Sequence, residues 1–133
     1  MTSDLICIPP TKVREVWPLV EGMIDAAYAA TDEITPDVRA WLLGEHGLLW
    51  IAARGDEVIA ALTTSLVQKR SGLACRMVAA GGFDLDLWKD HHLQIEAYAK
   101  AEGCVKVYFE GRVGWMRVLP DYQPLRVAFE KEV

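Results

Sequence analysis

The last third of the chain, residues 81–133, constrains the fold more than any other part. Apolar residues at three-four spacing predict an amphipathic helix over 84–102 that stops at Gly103. Apolar runs at 105–109 and 125–130 predict two strands, and a short helical segment around Trp115 separates them. A strand that follows a long helix in this way favours parallel pairing with the strand before the helix.

The first two thirds predict two helices and then an antiparallel meander. A strand at 5–8 precedes a helical stretch that reaches about residue 30, where Pro18 predicts a kink or a break. A short helix follows and ends at Gly44, and strands at 48–53, 58–67 and 73–79 come next. We therefore predict one α/β (α+β) domain over 1–133, with a mostly antiparallel sheet, flanking helices and the order β-α-α-β-β-β-α-β-α-β.

Composition excludes several classes of function. The formal charge of −5 argues against nucleic acid as a partner, because phosphate binding depends on clustered cations. No apolar run approaches the length of a membrane span. Cys7, Cys75 and Cys104 are odd in number and far apart, which is typical of reduced thiols, and the first residues lack a signal-peptide pattern. We expect a cytoplasmic protein.

The histidines do not indicate a metal site. His91 and His92 are adjacent, whereas a helical metal pair needs spacing of three or four so that both rings face one ion. His92 falls in the apolar stripe, so we expect it to be packed or hydrogen-bonded. No Walker loop, dinucleotide-binding fingerprint or Gly-x-Ser-x-Gly motif occurs either.

The element order and the run from Glu96 to Cys104 resemble the GNAT acyltransferase fold, in which acyl-CoA binds. The segment 111–119, Gly-Arg-Val-Gly-Trp-Met-Arg-Val-Leu, resembles a narrower group of small GNAT-like proteins that are often encoded by phages or prophages. The resemblance implies acetyl-CoA as a candidate cofactor, with pyrophosphate bound by a loop of type Gln/Arg-x-x-Gly-x-Gly/Ala. It points to Val78, Ala80, Gly81 and Gly82 as candidate cofactor contacts.

This chain departs from that loop pattern. The Gln or Arg is absent, and Asp84 and Asp86 place carboxylates where pyrophosphate is expected. Each carboxylate opposes an anion by about 1 kcal/mol when partly exposed. The alternative is that these carboxylates only cap the helix.

The catalytic tyrosine of the family lies in Tyr-x-x-x-Gly-Phe, and Arg117 stands at that tyrosine's position here. Glu110 is the candidate base, and Tyr122 is a second candidate catalytic group because it follows the same segment. Arg112 and Arg117 are candidate contacts for an acidic ligand or partner. The alternative is that Glu110 pairs with Arg112 or Arg117 on the surface and that the arginines are solvated.

Three functions follow. The first is a GNAT-fold protein with a degenerate acyl-CoA site, which serves as a non-catalytic binding or regulatory protein with an unknown protein partner. The second is an active acyl-CoA-dependent N-acetyltransferase that acts on a small amine and has an atypical pyrophosphate loop. The third is a phage structural or assembly protein. Five tryptophans are compatible with a homodimer.

Overall fold

A computed structural model describes residues 3–82, 86, 88–111 and 115–133. The strands of this part are β1 (Asp4–Ile8), β2 (Leu48–Arg54), β3 (Glu57–Lys69), β4 (Gly72–Gly82) and β5 (Lys106–Phe109). The α-helices are α1 (Val13–Ala29), α2 (Val38–Leu43), α3 (His92–Ala101) and α4 (Trp115–Val118). The predicted order is found except for the final strand.

The strands form one sheet in the order β1-β2-β3-β4-β5. The first four strands pair antiparallel, and β4 and β5 pair parallel. Helix α3 lies in the connection between β4 and β5, because parallel neighbours need a crossover. The predicted meander, the parallel last pair and the mostly antiparallel α+β class are confirmed.

Helix α1 covers one face of the sheet. Its stripe Val13, Trp17, Val20 and Ile24 is buried and packs in one core cluster with strand residues that include Ile51, Ala61 and Ala79. The helix continues through Pro18, so no break occurs there. Burial of the stripe on both sides of Pro18 holds the two parts of the helix on the sheet.

Helix α3 covers the opposite face. Ile95 and Ala99 are buried there in a cluster with Trp50 and Cys75. The indole Nε1 of Trp50 donates a hydrogen bond of 3.0 Å to Oγ1 of Thr64. This bond satisfies two polar groups that burial removes from water.

Helix α3 is shorter than the predicted helix over 84–102. It begins at His92, after a 3₁₀ turn at Lys89–His91. His91 stands at its N-cap without a capping side-chain hydrogen bond, so no local signal marks the start. The predicted cap, Asp84, lies outside the described residues. The C-terminal end is as predicted, because Gly103 follows the last turn with φ +86°.

The predicted strand at 125–130 is not formed in this single chain. Residues 123–133 have no regular secondary structure and are exposed. A strand needs a neighbour to satisfy its backbone N–H and C=O groups. The sequence of 125–130 has the alternating apolar residues that are typical of a strand, but no described strand pairs with this segment.

Candidate functional site

Strand β5 ends before its neighbour β4 does. Their parallel pairing runs from Ala74 and Lys106 to Met77 and Phe109, whereas β4 continues to Gly82. The edge of β4 over residues 78–82 therefore faces no described strand. Backbone groups along such an edge are available to an extended ligand. All four candidate cofactor contacts (Val78, Ala80, Gly81 and Gly82) lie on this stretch.

A β-bulge in β4 sets the direction of Val78. Thr63 pairs with Ala79 and Thr64 pairs with Met77, which leaves Val78 as an extra residue. An extra residue interrupts the alternation of side chains between the two faces. Ala79 consequently packs in the α1 core, and its neighbour Val78 lines a cavity on the same face.

Gly81 and Gly82 extend β4 and do not belong to a loop. They pair in register with Ala61 and Ala60 of β3. A Cβ added to Gly81 would lie 2.3 Å from the backbone oxygen of Met23 in α1. Gly81 thus allows α1 to approach the sheet closely, which is a packing role that requires no ligand.

A cavity of about 600 Å³ opens on the face that carries α1 and α2. This volume is in the range of small-molecule sites. The sheet and the helical side both contribute to it. Its lining residues are Tyr28, Pro36, Asp37, Val38, Trp41, His46, Thr63, Ser65, Leu66, Arg76 and Val78.

Thr63 gives this cavity an unsatisfied hydroxyl. Its Oγ1 is buried and has no hydrogen-bond partner among the described residues. The next residue, Thr64, is equally buried but accepts the bond from Trp50. A buried hydroxyl without a partner costs about 1–3 kcal/mol.

Arg76 gives the cavity a positive charge. Within the described residues it forms no ion pair. Burial raises the pKa of Tyr28, and the charge of Arg76 opposes that shift. Asp37 already accepts a 3.0 Å hydrogen bond from the backbone of Ala40 as the cap of α2. Arg76 is therefore the group suited to an anionic part of a ligand.

Tyr122 lies against α3, on the other face of the sheet. Its hydroxyl donates to Oε2 of Glu96 at 2.8 Å, and Nδ1 of His92 lies 2.5 Å from the same oxygen. Its ring packs against Phe109 with centroids 5.4 Å apart. Burial, and then the hydrogen bond to Glu96, raise the pKa of Tyr122 above its usual range. Tyr122 keeps its proton, holds the chain after α4 to α3, and does not line the cavity.

Glu110 and Arg117, two of the remaining candidate site residues, do not line the cavity. Glu110 follows β5 and is exposed, and Arg117 is exposed in α4. No ion pair joins these two residues in the part of the chain that the structure describes. Arg112 lies outside that part. The roles of all three stay predictions.

Four lining residues carry no local mark of a site. Tyr28 and Trp41 fit apolar helix faces, and Thr63 and Arg76 fit strand patterns. One sequence signal bears on this group: two hydroxyl residues, Thr63 and Thr64, are adjacent inside an apolar strand. Because successive side chains of a strand point to opposite faces of the sheet, each face must bury one of these hydroxyls.

Two features are absent from the described part of the chain: a metal-binding cluster and a membrane-spanning helix. No group of three His, Cys, Asp or Glu side chains there is placed to hold a metal ion. Its helices are too short or too polar to cross a bilayer. His92 is hydrogen-bonded to Glu96, as its place in the stripe predicts.

An antiparallel meander, a crossover helix and a fifth strand that pairs parallel with the fourth together make a GNAT fold. Neither a protein-family model nor a curated protein sequence matches this chain. Solved structures match it over nearly its full length.

One such structure is an aminoglycoside acetyltransferase, meta-AAC0020, from an uncultured soil metagenomic sample. It has a TM-score of 0.72 and 10% identity, over 98% of this chain and 96% of that one. A ribosomal-protein-alanine N-acetyltransferase from Brucella melitensis biovar Abortus 2308 has a TM-score of 0.67 and 10% identity, over 99% of this chain and 97% of that one. A predicted acetyltransferase with acetyl-CoA from Clostridium acetobutylicum has a TM-score of 0.67 and 10% identity, over 99% of this chain and 96% of that one. Likeness at these identities establishes the fold alone.

Proposed function

We propose that this chain is a GNAT-fold binding or regulatory protein whose acyl-CoA site has degenerated. The observation that carries the proposal is that Gly81 and Gly82 belong to β4, where they pair in register with Ala61 and Ala60 of β3. A pyrophosphate site of the family's kind needs loop backbone N–H groups before a helix N-terminus. Glycines that are paired within a strand do not form such a loop.

Two further features support a degenerate site. The packing of Gly81 against α1 explains the glycine without an anion. Asp86 is exposed and forms a 3.3 Å ion pair with Lys89, so this lysine's charge is already partly neutralised. An added anion near Asp86 would meet repulsion of about 1 kcal/mol.

The cavity beside α1 and α2 is the proposed ligand site. Arg76 would pair with an anionic group of the ligand. The rings of Tyr28 and Trp41 would contact its apolar part. We propose a small, partly apolar anion as the occupant.

An active acyl-CoA-dependent N-acetyltransferase is the second candidate. The open edge of β4 beyond Met77 favours it, because an extended pantetheine chain can pair there. The acetyltransferases among the structural neighbours favour it as well. In this version the cavity would hold the amine that accepts the acyl group. A phage assembly role is a third proposal, which rests on the resemblance of segment 111–119.

Isothermal titration calorimetry with acetyl-CoA separates the first two candidates. The titration is made on the wild type, on Asp84→Asn/Asp86→Asn, and on Glu102→Gln. Glu102 is exposed at the C-terminal end of α3, so its variant is a control for a general loss of negative charge. We expect no saturable heat from the wild type or the control at concentrations up to about 1 mM, which corresponds to binding weaker than about 4 kcal/mol.

Each outcome has a definite meaning. Micromolar binding by the wild type would overturn the degenerate site and lead to a screen of amine acceptors. Binding gained only by the double variant would show an intact cleft that charge has closed, since two carboxylates oppose the anion by about 2 kcal/mol together. No binding by any variant would leave the α1 and α2 cavity as the site to probe with small anions.

A further inference from the structure

The C-terminal end of β3 has an open edge. Residues 65–69 pair with β4, whereas the pairing of β3 with β2 ends at Thr64. The backbone oxygen of Thr64 points to the β2 side, since a Cβ added to Gly47 would lie 2.5 Å from it. Backbone direction alternates along an antiparallel strand, so Leu66 and Gln68 also present N–H and C=O groups on that side. No described strand pairs with them there.

Two cavities flank this edge, one on each face of the sheet. Ser65 forms a cross-strand pair with Arg76, and both line the cavity of about 600 Å³ on the face of α1. Leu66 pairs with the buried Cys75 and lies on the face of α3, where it lines a second cavity of about 460 Å³. Ser65, Leu66 and His46 line both cavities, so the cavities meet at the open edge.

The two cavities differ in charge. Arg76 is the free cation of the first cavity within the described residues, and Asp37 in that cavity already caps α2. The second cavity has two exposed carboxylates, Glu45 and Glu102, and no lysine or arginine among its described lining residues. Burial, and then the charge of Glu102, raise the pKa of Tyr98 in this cavity to about 12, so its hydroxyl stays protonated. An acidic group is therefore suited to one side of the edge and a basic group to the other.

We propose that the open edge of β3 binds an extended segment of a partner protein in which an acidic residue is followed directly by a basic one. The segment adds as an antiparallel strand whose backbone pairs with Leu66 and Gln68. Successive side chains of a strand point to opposite faces, so the acidic side chain lies beside Arg76 and the basic one beside Glu45. Only a ligand that has its own backbone N–H and C=O groups pairs with the edge and reaches both cavities.

This inference rests on the proposed binding function and takes the anion at Arg76 to be a carboxylate side chain of the partner. Fluorescence polarisation with two fluorescein-labelled peptide amides of equal composition tests it. In Thr-Val-Val-Glu-Lys the charged side chains point to opposite faces, and in Thr-Val-Glu-Val-Lys they share one face. We expect the first peptide to bind at least about 5-fold more tightly. Equal affinities, or no saturable binding up to about 1 mM, would overturn the proposal.

Backbone methylation of the first peptide tests the strand pairing. The lysine stands opposite Leu66, so its N–H points to β3, whereas the N–H of the preceding glutamate points away. Methylation of the lysine backbone nitrogen should therefore weaken binding about 10-fold, and methylation of the glutamate backbone nitrogen should leave the affinity unchanged. Equal effects of the two methyl groups would show that the peptide does not add as this strand.

A charge reversal in the protein tests the second cavity. Glu45→Lys should raise the dissociation constant of the first peptide by about 3- to 10-fold, because an opposite-charge pair becomes a like-charge pair. Glu21→Lys is the matched control, since Glu21 is exposed in α1 and lines neither cavity. Equal dissociation constants for the two variants would refute the placement of the basic side chain.

Two further measurements separate this inference from its alternatives. Calorimetry with benzoate tests the proposed function by itself, because a small anion occupies the cavity of Arg76 without pairing with β3. Saturable benzoate binding with equal affinities for the two peptides would support the proposed function and overturn this inference, and no binding of any probe would overturn both. In light scattering, a dimer that dissociates when the first peptide binds would assign the edge to a second copy and overturn the partner protein as its occupant.

Discussion

Replacement of Gly81 by alanine tests whether this glycine serves packing or ligand binding. The new Cβ would lie 2.3 Å from the carbonyl oxygen of Met23. That oxygen belongs to the backbone of α1, which cannot shift alone because Val20 and Ile24 on either side of Met23 are fully buried. The contact must therefore be relieved by movement of the helix or of β4.

The expected loss of stability follows from this geometry. Overpacking in a well-packed core costs about 1–3 kcal/mol. Alanine also restricts the unfolded chain, which offsets about 0.5–1 kcal/mol. The net loss in the free energy of unfolding is then about 1–2 kcal/mol. For a domain of this size it corresponds to a fall in Tm of roughly 3–10 °C.

Gly22 provides a matched control in the adjoining helix. It lies inside α1, and a Cβ added there would meet nothing within 4 Å. Alanine at an exposed helical position is favoured over glycine by about 0.5–1 kcal/mol. The same substitution should therefore stabilise the protein at position 22 and destabilise it at position 81.

Urea unfolding followed by circular dichroism gives both free energies, and thermal unfolding gives both values of Tm. A Gly81→Ala protein as stable as the wild type would refute the packing role of this glycine. If that variant also lost affinity for acetyl-CoA, Gly81 would be a ligand contact, as the resemblance to acyltransferases implies.

Two further predictions concern buried polar groups and pH. Thr63→Val should stabilise the ligand-free protein by about 1 kcal/mol, because it removes a buried hydroxyl without a described partner. Thr64→Val should destabilise it by about 1–2 kcal/mol, because it leaves the Trp50 N–H unpaired. Equal denaturation midpoints for the two variants would contradict both expectations. Burial raises the pKa of Cys75 from 9.0 to about 11, so the thiol loses its proton at lower pH in the unfolded chain than in the folded one. The free energy of unfolding should therefore fall between pH 9 and pH 11, by up to about 1.4 kcal/mol per pH unit. A Cys75→Ala variant with the same pH dependence of unfolding between pH 9 and pH 11 would show that another group is responsible.

Local patterns were sufficient for most of the fold. The stripe of α1 (Val13, Trp17, Val20 and Ile24) and the apolar runs of β2 to β4, which turn residues separate, depend only on residues close in sequence. The helix, its buried face and the meander therefore follow from local patterns. The parallel fifth strand follows as well, because a helix stands between β4 and β5.

The same local patterns were insufficient to predict which residues the candidate site brings together. Glu96 has Lys100 four residues away, which is a favourable helical spacing, yet it bonds to Tyr122, which is 26 residues away. Val78 lines the cavity because a bulge interrupts the alternation of β4, and neither Val78 nor its two neighbours, Met77 and Ala79, is a glycine or proline that would mark a bulge. The open edge of β4 exists because β5 ends at Phe109, which is a property of another strand.

Gly81 and residues 123–133 show most directly where local information ends. The sequence by itself determined that 125–130 alternates like a strand and that Gly81 lacks a side chain. Only the tertiary structure decided that 123–133 pair with none of the described strands and that Gly81 faces the backbone of Met23. Periodicity and turn propensity are set by neighbours in the chain, whereas strand pairing and close backbone approach are set by segments far apart in sequence that the fold brings together.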